Sequence, residues 1–104
     1  GLWAQPRLLE SGGGQQAPGD SVTFLCHGTG FSFGDYGIWW YHQTPDGTLQ
    51  WVSYIRYDSS RTEFGQSVKG RARVFRDDSK SESSLSLWAL QPRDSGRYFC
   101  AIAR

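Results

Sequence analysis

The sequence predicts an all-β antiparallel fold, a sandwich or barrel, with one disulfide. Three observations carry that prediction: turn-forming residues recur at short intervals, the runs between them alternate apolar and polar residues, and two cysteines stand far apart. The turn signals are Ser11-Gly12-Gly13-Gly14, Pro18-Gly19-Asp20, Pro45-Asp46-Gly47, Asp58-Ser59-Ser60 and Asp77-Asp78-Ser79-Lys80. Short strands punctuated in this way are the mark of a sandwich or barrel. Between the turns, Val22, Phe24 and Cys26 alternate with polar Ser21 and Thr23, the period-two pattern of a strand with one buried face, and only Leu25 breaks it. Ile38 with Trp40, Leu85 with Leu87, and Tyr98 with Cys100 give three further strands an inward face. No stretch sustains helical spacing, and no repeat or linker divides the chain, so residues 1–104 are expected to form a single domain.

Composition narrows the function classes. Hydrophobic residues make up 38% of the chain and aromatics 15%, enough apolar surface to build a core and to exclude disorder. Eleven basic and ten acidic side chains leave a net charge of +1, far from the concentrated positive field that nucleic acid requires. No apolar run approaches the ~18 residues of a membrane span, and Gly1 to Pro6 lacks the pattern of a signal peptide. A mature soluble segment without membrane contact is expected. Cys26 and Cys100 are too far apart for the close ligand pair that opens a zinc knuckle. A disulfide is the better reading, with two buried free thiols as the alternative. The bridge would close a loop of about 75 residues and stabilise the fold by roughly 4–5 kcal/mol in the chain-entropy model, comparable to the whole margin of a small domain. It would also imply an oxidising compartment.

A cysteine in an early strand (Cys26), a tryptophan in the next (Trp40) and Tyr98-Phe99-Cys100 in a late strand together resemble the immunoglobulin V-type sandwich. That resemblance implies a Cys26–Cys100 bridge between the sheets with Trp40 packed beside it. It also implies a Tyr98 hydroxyl bonded to upstream backbone and an Arg71–Asp94 salt bridge closing one end. Leu9-Glu10-Ser11-Gly12-Gly13-Gly14, Gly30-Phe31-Ser32-Phe33, Leu49-Gln50-Trp51-Val52-Ser53, Ser67-Val68-Lys69-Gly70-Arg71 and Arg76-Asp77-Asp78-Ser79-Lys80 are similar to heavy-chain frameworks of antibody variable domains. The similarity runs over about residues 7–104. Because the sequence ends at Ala101-Ile102-Ala103-Arg104, the third hypervariable loop and the final strand are expected to lie outside it, through truncation, a separate segment or a partner that donates the strand.

Four positions depart from the family pattern. His42 replaces an arginine and is expected to be a half-buried framework residue, and Tyr41 stands where valine is common. Ala72 and Ser83 stand where larger apolar residues fill the core, at an expected cost of about 1 kcal/mol or more each. On that reading Ser83→Leu should raise the melting temperature. Somatic mutation in a heavily selected antibody, or an unusual vertebrate lineage, would account for the departures.

What the resemblance implies for function is an antigen-binding heavy-chain variable domain, secreted or displayed on the B-cell surface and therefore extracellular. Its antigen, expected to be a protein, would be contacted by Ser32, Gly34, Asp35, Tyr36, Gly37 and Trp39 of the first loop. The second loop would add Tyr54, Arg56, Tyr57, Asp58, Ser59, Ser60, Arg61 and Glu63. Tyr36, Arg56 and Tyr57 have the paratope chemistry of rigid amphipathic rings and a forked donor. With Trp40 inward, alternation turns Trp39, Tyr41 and Gln43 outward. Family geometry adds Leu49, Trp51 and Phe99 to that face, and Tyr41, Gln43, Leu49, Trp51 and Phe99 would pair with a light-chain variable domain. A V-type cell-surface receptor, or a surrogate-type chain serving as an assembly module, is the competing reading.

Catalysis is not expected. His27 and His42 are isolated, Gly12-Gly13-Gly14 lacks the lysine and strand-to-helix context of a phosphate loop, and no nucleophile elbow or zinc-protease motif occurs. No cofactor or metal is expected. The sequence contains no asparagine, so N-linked glycosylation within it is excluded.

Overall fold

The computed structural model describes residues 5–14 and 16–103. Residues 1–4, 15 and 104 lie outside the described residues, and with them most of the Gly1 to Pro6 segment and the last residue of the C-terminal run. Eight strands are defined: β1 (Arg7–Gly12), β2 (Val22–Thr29), β3 (Gly37–Gln43), β4 (Leu49–Ile55), β5 (Thr62–Phe64), β6 (Ala72–Asp77), β7 (Glu82–Leu87) and β8 (Arg97–Ala103). They form two four-stranded antiparallel sheets, ordered β1-β2-β7-β6 and β5-β4-β3-β8. Among the described residues the only helical pieces are short 3₁₀ turns, as at Phe33–Asp35 and Pro92–Asp94.

The strands form where the alternation is cleanest. Val22, Cys26, Leu85 and Leu87 of one sheet face Ile38, Trp40, Val52 and Ile55 of the other in a single buried cluster. The Cys26–Cys100 disulfide, with an S–S distance of 2.00 Å, joins β2 to β8 and so ties sheet to sheet across that cluster. Trp40 is completely buried within it. The Glu10 carboxylate reaches across from β1 and accepts a hydrogen bond from the Cys100 backbone N–H at 3.1 Å.

Leu25, the break in the β2 pattern, points outward. At Gly12 to Gly14 the backbone takes φ values of +90°, +80° and +96°. A Cβ at Gly12 would come within 2.5 Å of the Thr23 carbonyl oxygen, so this bend requires glycine.

Two expectations about the departures need correction. Ser83 does not leave the core underfilled: it is 1% exposed, accepts a hydrogen bond from Trp40 Nε1 at 3.3 Å and donates to the Phe75 carbonyl at 2.7 Å. Its hydroxyl supplies the partner that a buried indole needs. His42 is buried rather than half-buried, its ring stacked on Tyr98 at 4.3 Å with Nε2 2.6 Å from the Ser95 carbonyl oxygen. Gly96 makes room for it, since a Cβ there would lie 2.8 Å from His42 Nε2. Ala72 is only half-buried and packs against the edge of the core.

The end of the sandwich beneath His42 is closed electrostatically. Arg71 donates both terminal nitrogens to the two Asp94 oxygens, each at 2.8 Å. The same guanidinium bonds the carbonyls of Ser67, Trp88 and Ala89, and Asp94 also accepts from the Gln91 N–H. Burial works to raise the Asp94 carboxyl, but the Arg71 hydrogen bonds and the Gln91 N–H outweigh it and hold the group below its ordinary value. The Tyr98 hydroxyl donates to the Asp94 backbone carbonyl at 2.6 Å, and its phenol is pushed upward by burial and by the Asp94 charge.

Candidate binding surface

A bulge sets the geometry of the outer face of the β5-β4-β3-β8 sheet. Trp40 pairs with Ser53 but Tyr41 pairs with Trp51, so one extra residue, Val52, is accommodated between them. The shift keeps Trp40 and Val52 in the core while Tyr41 and Trp51 both face out. Phe99 lies opposite Tyr41 on β8, and Leu49 lies opposite Gln43 on β4. Tyr41 and Phe99 stack at 5.6 Å, with the Arg97 guanidinium 5.2 Å from the Phe99 ring centre. Trp39 packs on Tyr54 at 4.6 Å and on Trp51 at 6.3 Å. Leu49 is 56% exposed and Trp51 36%, so large apolar groups on this face are left open to solvent among the described residues. Trp51 Nε1 donates to the Ser53 carbonyl, whereas Trp39 Nε1 is buried with no hydrogen-bond partner among the described residues.

The two described loops lie at one end of this face. In the first, Phe31 and Phe33 anchor the segment: Phe33 is 3% exposed, and Phe31 meets the Tyr36 ring edge-on at 5.6 Å. Ser32 and Asp35 are exposed, while Tyr36 and Gly34 are half-buried, Gly34 against the Asp78 carboxylate. Gly37 requires correction as a contact residue: it is buried, and a Cβ on it would lie 2.7 Å from the Tyr54 ring. It shapes the floor under Tyr54 and offers no surface of its own.

The second loop is tied internally. The Arg56 N–H bonds the Arg61 carbonyl and the Ser59 N–H bonds the Arg56 carbonyl. Asp58 accepts from the Ser60 hydroxyl and N–H and from Arg56 at 2.6 Å. The Ser60 hydroxyl, more than any charge, holds the Asp58 carboxyl below its ordinary value. Arg56 also lies 4.7 Å over the Tyr57 ring, and Arg61 pairs with Glu63 at 3.2 Å. Charges in this loop are therefore largely matched within it, and Tyr57, 46% exposed, is the ring it presents.

One residue that sequence reasoning passed over organises both loops. The Arg76 side chain is 1% exposed and donates to the Phe33 carbonyl of the first loop and the Arg56 carbonyl of the second, each at 3.0 Å, while pairing with Asp78 at 2.8 Å. Its guanidinium also sits 5.1 Å from the Phe33 ring centre. The signal was present: Arg76 falls on the inward parity of β6 with Val74, and an inward arginine in a strand must find buried acceptors.

Among the described residues no three histidine, cysteine, aspartate or glutamate side chains cluster as metal ligands, and both cysteines are consumed by the disulfide. Two sheets clamped by one bridge, an aromatic outer face and two braced loops make a β-sandwich that presents its loops on a rigid scaffold. The chain matches the immunoglobulin V-set domain over residues 14–104, and it belongs to that family. Domains of this family are generally non-enzymatic modules that pair with other immunoglobulin domains or bind protein ligands, typically outside the cell or on its surface. No helix among the described residues is long and apolar enough to cross a membrane.

Proposed function

We propose that this chain is the antigen-binding variable domain of an antibody heavy chain, extracellular in a secreted or B-cell-surface immunoglobulin, pairing with a light-chain variable domain. The observation that carries the reading is the uncovered face formed by Tyr41, Gln43, Leu49, Trp51 and Phe99. Leu49 and Trp51 are exposed, Tyr41 stacks on Phe99 with both rings half-buried, and such apolar patches mark interfaces. Beside it, Tyr36 and Tyr57 supply large contacts at low entropic cost, and Ser32, Asp35, Ser59, Ser60 and Glu63 supply adaptable polar ones. Trp39 and Tyr54, joining the loops to the face, would shape the floor of the site, and Arg56, Asp58 and Arg61 would hold the second loop in one shape. The heavy-chain assignment rests on the framework runs.

Co-expression with a panel of light-chain variable domains tests the proposal. A one-to-one complex is expected by size exclusion with light scattering, and Trp51→Arg should abolish it. A chain that ignores every light chain at high concentration overturns the reading.

A further inference from the structure

The opposite sheet carries a second apolar surface, unrelated to the pairing face. On the outside of β1-β2-β7-β6, the register places Leu25, Ser84 and Phe75 in one row across three strands. Leu25 is 37% exposed and Phe75 50%, and the short Ser84 between them leaves a depression of about 110 Å³. Charge is distributed unevenly about this row. Arg73 lies two residues before Phe75 on β6 and Asp77 two residues after it, both exposed and on the same face, with Glu82 opposite Asp77 on β7. The Arg73 guanidinium lies 5.0 Å from the Phe75 ring centre on one side of the row, and on the other the Asp77 carboxylate accepts from the Ser79 N–H and hydroxyl.

We propose that this face is a self-association surface whose partner is a second copy of the same chain. A two-fold axis lying in the interface, across the strands and along the Leu25–Ser84–Phe75 row, brings the apolar rows together. The same rotation exchanges the positions before and after Phe75, so Arg73 of each copy faces Asp77 of the other. An isologous contact requires this self-complementarity, and opposite charges two residues to either side of Phe75 on one strand provide it. Glu82 strengthens the negative side. The apolar row is narrow beside the roughly 800 Å² per partner of standard interfaces, so the dimer is weak and forms only at high concentration.

Sedimentation equilibrium of the full 104-residue chain, up to about 1 mM, tests this. A monomer–dimer equilibrium is expected. Arg73→Glu and Asp77→Arg should each weaken it roughly tenfold by setting like charges together. The double variant, which restores complementarity with the signs exchanged, should return it to within about threefold of the original. Phe75→Ser should abolish it, and thermal melts of each variant verify that the fold is kept. A chain monomeric throughout overturns the proposal. So does an equilibrium that neither single charge reversal changes, or one that Trp51→Arg abolishes while Phe75→Ser does not.

Discussion

Trp40 Nε1 donates to the Ser83 hydroxyl at 3.3 Å, which in turn donates a hydrogen bond to the Phe75 carbonyl at 2.7 Å. This short chain links the indole beside the disulfide to the backbone of β6. It also reverses what volume alone implies for Ser83→Leu. A leucine would fill space but leave a buried indole N–H and a carbonyl without their hydroxyl, at a cost of about 1–3 kcal/mol for an unsatisfied buried group. The expected result is a melting temperature lower by several degrees, with Ser83→Thr tolerated better because it keeps the hydroxyl. A rise in melting temperature on Ser83→Leu would show that packing outweighs the hydrogen bonds.

The Arg71–Asp94 pair makes stability depend on acid. Asp94 has its folded-state carboxyl held below 3.8, the value expected in the unfolded chain. Below that value the unfolded state binds the proton more readily, so the contribution of the pair is complete above pH 3.8 and is lost as pH falls through the folded value. Asp94→Asn should remove that acid dependence and, by stranding the partly buried Arg71, cost about 3 kcal/mol at neutral pH. Urea unfolding of both proteins from neutral pH downward measures it; parallel curves would contradict the assignment.

Tyr98 acts with the opposite sign. Its folded phenol is raised above the ordinary 10.0, chiefly by burial, so its stabilisation is complete below pH 10.0 and is lost as the solution becomes more alkaline. Tyr98→Phe keeps the stacking with His42 but loses the bond to the Asp94 carbonyl. A loss of about 1–2 kcal/mol is expected, together with a shallower decline in stability at high pH, read by denaturant unfolding followed through tryptophan fluorescence.

Strand parity was legible in the sequence wherever a buried residue met a polar neighbour, as in Val22 to Cys26 and Ile38 to Trp40. The disulfide was legible because two cysteines that far apart fit a staple better than a ligand set. Less accessible was anything that depends on a contact between distant segments. The bulge between Trp40 and Tyr41 leaves no local trace, and His42 shows its burial only once Gly96 and Tyr98 are seen beneath it. Gly37 reads as loop because glycine marks turns, yet Tyr54 covers it. Arg76 was hidden by a motif that resembled framework, although its parity pointed inward.

Arg76 therefore carries the last expectation. Two loops separated in sequence are held by one planar group, whose separate N–H donors reach Phe33, Arg56 and Asp78 at once. Lysine has the charge without the fork: its three donors share one nitrogen and cannot reach acceptors spread around Nε, Nη1 and Nη2. Arg76→Lys should leave the cores of both sheets intact while speeding amide hydrogen exchange in residues 31–36 and 56–61 together, and Arg76→Ala should do so more strongly at a cost of about 3 kcal/mol. The coupling is the diagnostic feature, because a merely local role would loosen the β6 end and spare one loop. Hydrogen exchange with mass spectrometry resolves the two segments. Protection lost in only one of them would show that each loop is held by its own contacts, the second by Asp58 and the first by Phe33 and Phe31.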